Sequence, residues 1–365
     1  MRRRAASRLA LRALLLLLAA HCSLLTAAAA WVRQSSGTLA WLHAVYFLDE
    51  SRGWAVGGKG TLLATVDGGA HWRAERSPTG DALRDIFFVD ERTGWLVCER
   101  NIYQLTTKEE PRSYLLKTTD GGASWTRVEV MASADADVLL VRVRFAGGER
   151  GWAFGEAGAL YATTDGGATW QRQRVPTRHL LQGGVFLDAQ RGWVVGAGST
   201  LLQTTDGGAT WNAGRLETPA APQASSQANA KASGAQAPHA STGASSVRFN
   251  AVSFVNERRG WAVGASGAAY ATTNGGRSWH ALSTGVEADL FDVTFYDERE
   301  GRATGGGGTV IHTTDGGATW QTEPTGTSHP LERLFFSGRA RGWAVGFGGT
   351  IIGFRLSSPA PPKLS

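Results

Sequence analysis

Arginines recur at one point of a repeated pattern, and their charge is the first chemistry that the sequence offers. Arg52, Arg150, Arg191, Arg259 and Arg341 each stand directly before a Gly-Trp step, with Thr93 and Glu300 at the two remaining copies. Arg92, Arg258 and Arg299 lie beside this column. A guanidinium presents a planar fork of N–H donors that fits a carboxylate, so the column suits docking of an acidic or extended partner. Arg52, Arg92, Arg150, Arg191, Arg258, Arg259 and Arg341 are therefore the candidate partner-binding residues. The competing reading is a set of solvated turn residues near acids such as Asp49, Glu149 and Glu257. A second set, Asp85, Arg142, Asp292 and Arg333, also falls at equivalent points of the pattern, where the other copies have Ala44, Gly183 and Ala251. Cys98 is the only cysteine after the first 30 residues, which excludes an intramolecular disulfide and a cysteine metal cluster there. No catalytic residue, metal ligand or cofactor site is assigned.

The elements that position these groups come from internal repeats. A signature of the type RGWAVG occurs seven times, at Arg52–Gly57, Thr93–Cys98, Arg150–Gly155, Arg191–Gly196, Arg259–Gly264, Glu300–Gly305 and Arg341–Gly346. Four of the six spacings between first glycines are 41 residues, and the other two, 57 and 68, contain insertions. A second signature, T-x-D-G-G-x-x-W with Asn for Asp in the fifth copy, follows each of the first six, ending at Trp72, Trp125, Trp170, Trp211, Trp279 and Trp320. A phenylalanine stands six residues before every first glycine: Phe47, Phe88, Phe145, Phe186, Phe254, Phe295 and Phe336. Each repeat reads as four short strands parted by turn residues, in the first repeat Leu42–Leu48, Gly53–Gly57, Thr61–Thr65 and His71–Glu75.

Four strands per ~40 residues with fixed aromatics is the pattern of a β-propeller blade. The expected fold is all-β, a seven-bladed propeller over residues 31–356 with a tail at 357–365. The seventh repeat lacks its Asp-Gly-Gly turn and fourth strand. WVRQSSG at Trp31–Gly37 looks like WQTEPTG at Trp320–Gly326, so the N-terminal strand is expected to complete the last blade and close the ring. In that fold the arginine column forms a broken basic ring on one face, and Asp85, Arg142, Asp292 and Arg333 lie near the mouth of the central channel on the other. A ligand site and a water-lined channel are the two readings of the latter group. Blade 2 carries an insertion around Glu99–Ser113. Residues 217–246, between blades 4 and 5, form an Ala/Ser/Gln-rich tract expected to be a disordered surface loop.

The Asp-box itself is read as a turn staple: the aspartate accepts turn amides, the glycines permit positive φ and the Trp covers the turn. Asn274 in place of aspartate in blade 5 fits a hydrogen-bonding role better than a charge. Arg302 interrupts the Trp column in blade 6, and Cys98 replaces a strand-end glycine in blade 2.

Charge points to export rather than to nucleic acid. The formal net charge of the chain is +6, from 37 Lys+Arg against 31 Asp+Glu. Five of those arginines lie in residues 1–30, leaving 32 basic against 31 acidic residues beyond them. The arginine-rich start, the apolar run and the small residues Ala27–Ala30 form a signal-peptide pattern, with cleavage expected before Trp31 and an uncleaved anchor as the alternative. The expected location is exported, periplasmic or otherwise extracytoplasmic, with or without membrane association.

The joined pattern F-x-D-x-x-x-G-W-A-V-G and T-T-D-G-G-x-x-W resembles the photosystem II stability/assembly factor family over nearly all of residues 31–356. The resemblance implies a non-catalytic scaffold that assists assembly of a membrane-protein complex from the lumenal or periplasmic side. In photosynthetic organisms members of that family act on the reaction-centre D1 protein, and a basic, arginine-rich surface serves for docking. The implied partner is a membrane-protein subunit or assembly intermediate, with the chain itself a monomer and no nucleic acid bound. The alternatives are a sialidase-like glycoside hydrolase or a carbohydrate-binding propeller. Against the first, the F-R-I-P start of sialidases is absent and most loops between second and third strands are short. Against the second, nearly every Trp is taken up by the repeat signatures.

Overall fold

The computed structural model describes residues 29–356, apart from 106, 108–109, 132–134 and 218–245. The leader (all but its last two residues), the tract at 217–246 (all but its two end residues) and the tail at 357–365 lie outside the described residues. Seven sheets form the seven blades, each running outward from an innermost strand. Blade 1 consists of Leu42–Phe47, Gly53–Gly57, Leu62–Thr65 and Arg73–Ala74. In blade 7 the order is Leu331–Phe336, Arg341–Gly346, Ile351–Leu356 and then Ala29–Gln34, so the N-terminal strand closes the ring as the repeat predicts. It starts two residues ahead of the expected cleavage point. Among the described residues no helix is long and apolar enough to cross a membrane.

Two features go beyond the repeat. Arg215–Leu216 adds a short fifth strand to blade 5, parallel to Ser278–Leu282. The chain leaving blade 4 thus covers the outer edge of the next blade, a common protection for an exposed edge. In blade 2 the second and third strands extend through Glu99 and from Ser113, so the insertion sits on a longer hairpin whose Arg100 lies 3.4 Å from Glu110.

The signatures explain how blades pack. The Trp of each Gly-Trp step lies flat on the Phe of the next blade, as for Trp54 on Phe88 at 4.3 Å, Trp152 on Phe186 at 3.7 Å and Trp343 on Phe47 at 3.5 Å. The other side of that Phe rests on the glycine of its own blade. A Cβ at Gly53 would come within 2.4 Å of the Phe47 ring, which is why the step begins with glycine. The Asp-box Trp meets the same Phe edge-on, Trp170 to Phe145 at 5.9 Å and Trp279 to Phe254 at 5.8 Å. Such aromatic pairs are worth about 0.5–1.5 kcal/mol each beyond the area they bury. In blade 7 Trp31 takes the edge-on position against Phe336, at 5.9 Å.

The Asp-box staple is visible atom by atom. In blade 3 Asp165 Oδ1 accepts from Thr169 N at 2.9 Å and from Thr163 Oγ1 at 2.7 Å, and Gly167 N donates to Thr163 Oγ1 at 2.9 Å. Gly166 and Gly167 have φ of 67° and 83°, which suits residues without a Cβ. Asn274 accepts from Ser278 N at 3.0 Å in the same way, without a charge. Donation from the Thr169 hydroxyl, then from its amide, pulls the Asp165 carboxyl down to about 2, and Asp120, Asp206 and Asp315 reach about 2 by equivalent bonds. These values lie below the unfolded value of about 4. Their stabilisation is therefore complete above that pH and is lost as pH falls toward 2. Replacing Asp165 by Asn is expected to flatten the acid limb of a melting-temperature profile between about pH 4 and 2 relative to the parent. Parallel profiles would show that the charge contributes nothing.

Candidate functional site

A β-bulge recurs in the innermost strand of all seven blades, between Leu42 and Ala44, Leu83 and Asp85, Leu140 and Arg142, Leu181 and Gly183, Phe249 and Ala251, Leu290 and Asp292, and Leu331 and Arg333. Bulges re-aim the residue that follows them. The residue after each bulge is the second repeated set of the sequence, and Asp85, Arg142, Asp292 and Arg333 come together on one central cavity of about 370 Å³. The position is glycine in blade 4 because the next blade approaches it closely: a Cβ at Gly183 would lie 2.7 Å from the Ala251 backbone. All four charged residues of the set are largely withdrawn from solvent, and burial pushes the Asp292 carboxyl up to about 6.

The acids of this channel also join blades. Asp85 Oδ2 accepts from Val143 N of the next blade at 3.1 Å and from Arg144 Nη1 at 2.6 Å. Asp292 Oδ2 accepts from Leu334 N of the next blade at 2.9 Å.

The arginine column occupies one face, and much of it is engaged within the ring. Arg341 Nη2 donates to Gly68 O of blade 1 at 3.0 Å, and Arg150 Nη2 to Gly207 O of blade 4 at 2.5 Å. Both guanidinium groups also lie over the Trp of their own strand, as does that of Arg52, at 5.2 Å for Arg341 and Arg52 and 5.7 Å for Arg150. These residues tie the Gly-Trp turn of one blade to the Asp-box of the next. Arg259 is 3.7 Å from Glu298, Arg191 pairs with Asp188 at 2.6 Å and with Glu257, and Arg92 is exposed with its Nε 3.3 Å from Thr119 O.

Arg191 and Arg258 do converge. With Arg277 they line a groove between blades 4 and 5 whose remaining walls include Gln203, Asn212, Asn274 and Glu257. Arg191 is held by Asp188 and Glu257, and the exposed Arg258 and Arg277 beside it leave the groove positive. Arg277 is a residue that the column did not include. Its signal is present in the Asp-boxes, where it replaces the alanine found at 70, 123, 168, 209 and 318.

Other chemistry is poorly served. Cys98 is fully buried, and burial raises its thiol pKa far above the usual range. Burial likewise raises Tyr46, Tyr114, Tyr161 and Tyr296, the wrong direction for a nucleophilic phenolate. Among the described residues no three His, Cys, Asp or Glu side chains converge as a metal site.

Known proteins share this architecture. A solved YCF48 bound to D1 peptide is 20% identical, with a TM-score of 0.65 over 90% of this chain and 94% of that one. YCF48 from Cyanidioschyzon merolae is 19% identical, with a TM-score of 0.66 over 89% of this chain and 98% of that one. The GH74 xyloglucanase from Xanthomonas campestris is 13% identical with a TM-score of 0.62, and the match covers 92% of this chain but 55% of that enzyme. These likenesses are of fold. No curated protein matches. The family model described as photosynthesis system II assembly factor YCF48 matches residues 72–184, 170–285 and 282–355. With the repeat signatures accounted for blade by blade, the chain belongs to the YCF48 assembly-factor family.

Proposed function

We propose that this chain is an exported, non-catalytic assembly factor that holds a segment of a membrane-protein subunit while its complex is built. The observation that carries the reading is the family match across the propeller, joined to the fold it shares with a YCF48 that is bound to D1 peptide. The buried tyrosines and thiol favour binding over catalysis. The leader-like sequence of residues 1–30 favours action outside the cytoplasm.

The docking surface is the positive groove of Arg191, Arg258 and Arg277, because Arg150 and Arg341 already spend their donors on neighbouring turns. Arg258 and Arg277 are exposed and carry no ion pair among the described residues, so they meet a carboxylate-bearing segment without breaking one and steer it electrostatically, while Arg191 stays bound to Asp188 and Glu257. The test is affinity capture from detergent-solubilised membranes of the source cells with the parent chain and an Arg258→Glu/Arg277→Glu variant. The parent is expected to retain a membrane-protein subunit. The variant is expected to lose it while melting within about 2 °C of the parent, since both side chains are on the surface. Equal capture by both would remove the groove, and capture of no membrane protein would remove the function.

A further inference from the structure

The central channel holds more positive than negative charge. Arg142, Arg144 and Arg333 face Asp85 and Asp292 around one cavity. Both acids are committed to backbone amides of the next blade, and Asp85 takes Arg144 as well. The other two arginines are poorly served. Arg333 reaches Asp292 only at 3.7 Å, and its Nε and Nη2 are buried without a protein partner. Arg142 is 6% exposed and makes no hydrogen bond or ion pair among the described residues.

A guanidinium withdrawn from water with no partner is costly, and a fold keeps one where an anion can meet it. The fork geometry and the charge balance narrow the anion. One carboxylate would match the planar donors of an arginine bidentately and supply the missing negative charge. A tetrahedral dianion would bring a second charge against Asp85 and Asp292. Glu332 is the further acid acting on Arg142, and it is engaged by His43 at 3.2 Å.

We propose that the central channel binds a single carboxylate group, held by Arg142 and Arg333. The cavity has the size of a small-molecule site and takes either a free small carboxylate or the carboxylate end of an extended peptide. The inference is independent of the outer groove, since it uses none of its residues and lies on the channel axis.

Isothermal titration in chloride buffer tests it on the whole mature chain, with acetate, succinate, and acetyl-Ala-Ala carrying a free or an amidated C-terminus. Saturable heat from acetate or succinate identifies a free carboxylate as the ligand. Heat confined to the free-terminus peptide identifies a peptide end. Either result is expected to weaken about tenfold or more in Arg142→Gln, through loss of charge-assisted hydrogen bonds. The Arg258→Glu/Arg277→Glu protein is expected to bind as the parent does. Asp292→Asn removes the competing acid and is expected to tighten binding, and it serves with Arg333→Gln if Arg142→Gln does not fold. No heat from any probe, equal heat from the amidated peptide, or unchanged binding in the arginine variants would overturn the site.

Discussion

Replacing Arg302 by Met is expected to destabilise the propeller by about 3–5 kcal/mol, the range for removing one partner of a buried ion pair. At every other seam a Trp lies flat on the Phe of the following blade, Trp261 on Phe295 at 3.6 Å for instance. At the seam between blades 6 and 7 a guanidinium takes that place. Arg302 is 2% exposed and sits 4.3 Å from the ring centre of Phe354 and 5.5 Å from that of Phe336. It pairs with Glu323 at 3.1 Å and Glu300 at 3.6 Å and donates to Tyr296 Oη at 3.2 Å. Without it two largely buried carboxylates keep His312, at 3.3 Å from Glu300 and 3.5 Å from Glu323, Arg339 at 3.7 Å from Glu300 and the neutral Trp31 Nε1 donor on Glu323, too little positive charge to replace the buried guanidinium. Differential scanning calorimetry should show a fall of at least about 6 °C. Burial, then the charge of Arg302, holds the His312 pKa below its usual value. Once Arg302 is gone the two carboxylates favour imidazolium, so the defect is expected to be smaller at pH 5 than at pH 8. Arg302→Trp, which restores the majority residue, is expected to destabilise rather than repair. Adding Glu323→Gln should recover part of the loss. A variant as stable as the parent at both pH values would show that the cluster holds nothing together.

The fold was legible because each signature residue makes its contact with another signature residue. Phe47 lies between Gly53 of its own blade and Trp343 of the previous one, and all three recur at fixed spacing. Closure was legible for the same reason: Trp31 is an Asp-box Trp displaced to the other end of the chain. The fifth strand of blade 5 was not, since Arg215–Leu216 has too few residues to show a period and pairs only because the chain crosses there. The channel residues could be named from sequence, as each follows a bulge that every repeat contains. What they do could not, because partnership depends on the neighbouring blade. Asp85 finds Val143, whereas Arg142 finds no one. The same holds for the arginine column. Its recurrence suggested a docking face, but Arg341 meets Gly68 from the far end of the chain, a contact no local pattern announces. Arg277 stands at an Asp-box position that is alanine in the other five copies, so the residues shared by the signature do not point to it.

A chain that begins at Thr38 is expected to lose cooperative folding, while one that begins at Ala29 keeps it. The strand Ala29–Gln34 pairs along its whole length with Ile351–Leu356, Trp31 opposite Phe354. Its side chains reach both adjoining blades. Trp31 Nε1 donates to Glu323 Oε2 of blade 6 at 2.7 Å, while Gln34 accepts from Trp72 Nε1 at 3.0 Å and donates to Gly68 O of blade 1 at 3.3 Å. Removing the strand bares the edge of Ile351–Leu356 and unseals both seams beside it, and an open, flat edge invites pairing between molecules. Trp31→Ala alone should cost about 3–5 kcal/mol, as for other large buried aromatics, whereas Val32→Ala should be nearly neutral because Val32 is 63% exposed. Size-exclusion chromatography with thermal unfolding distinguishes the outcomes: aggregation or a broad, shallow transition is expected for the shortened chain. A synthetic peptide AAWVRQ added in trans should restore a sharp transition by strand addition, since the groove it leaves keeps its hydrogen-bonding register. A monodisperse shortened chain melting within about 2 °C of the parent would mean that blade 7 holds with three strands and that the ring does not depend on its N-terminal clasp.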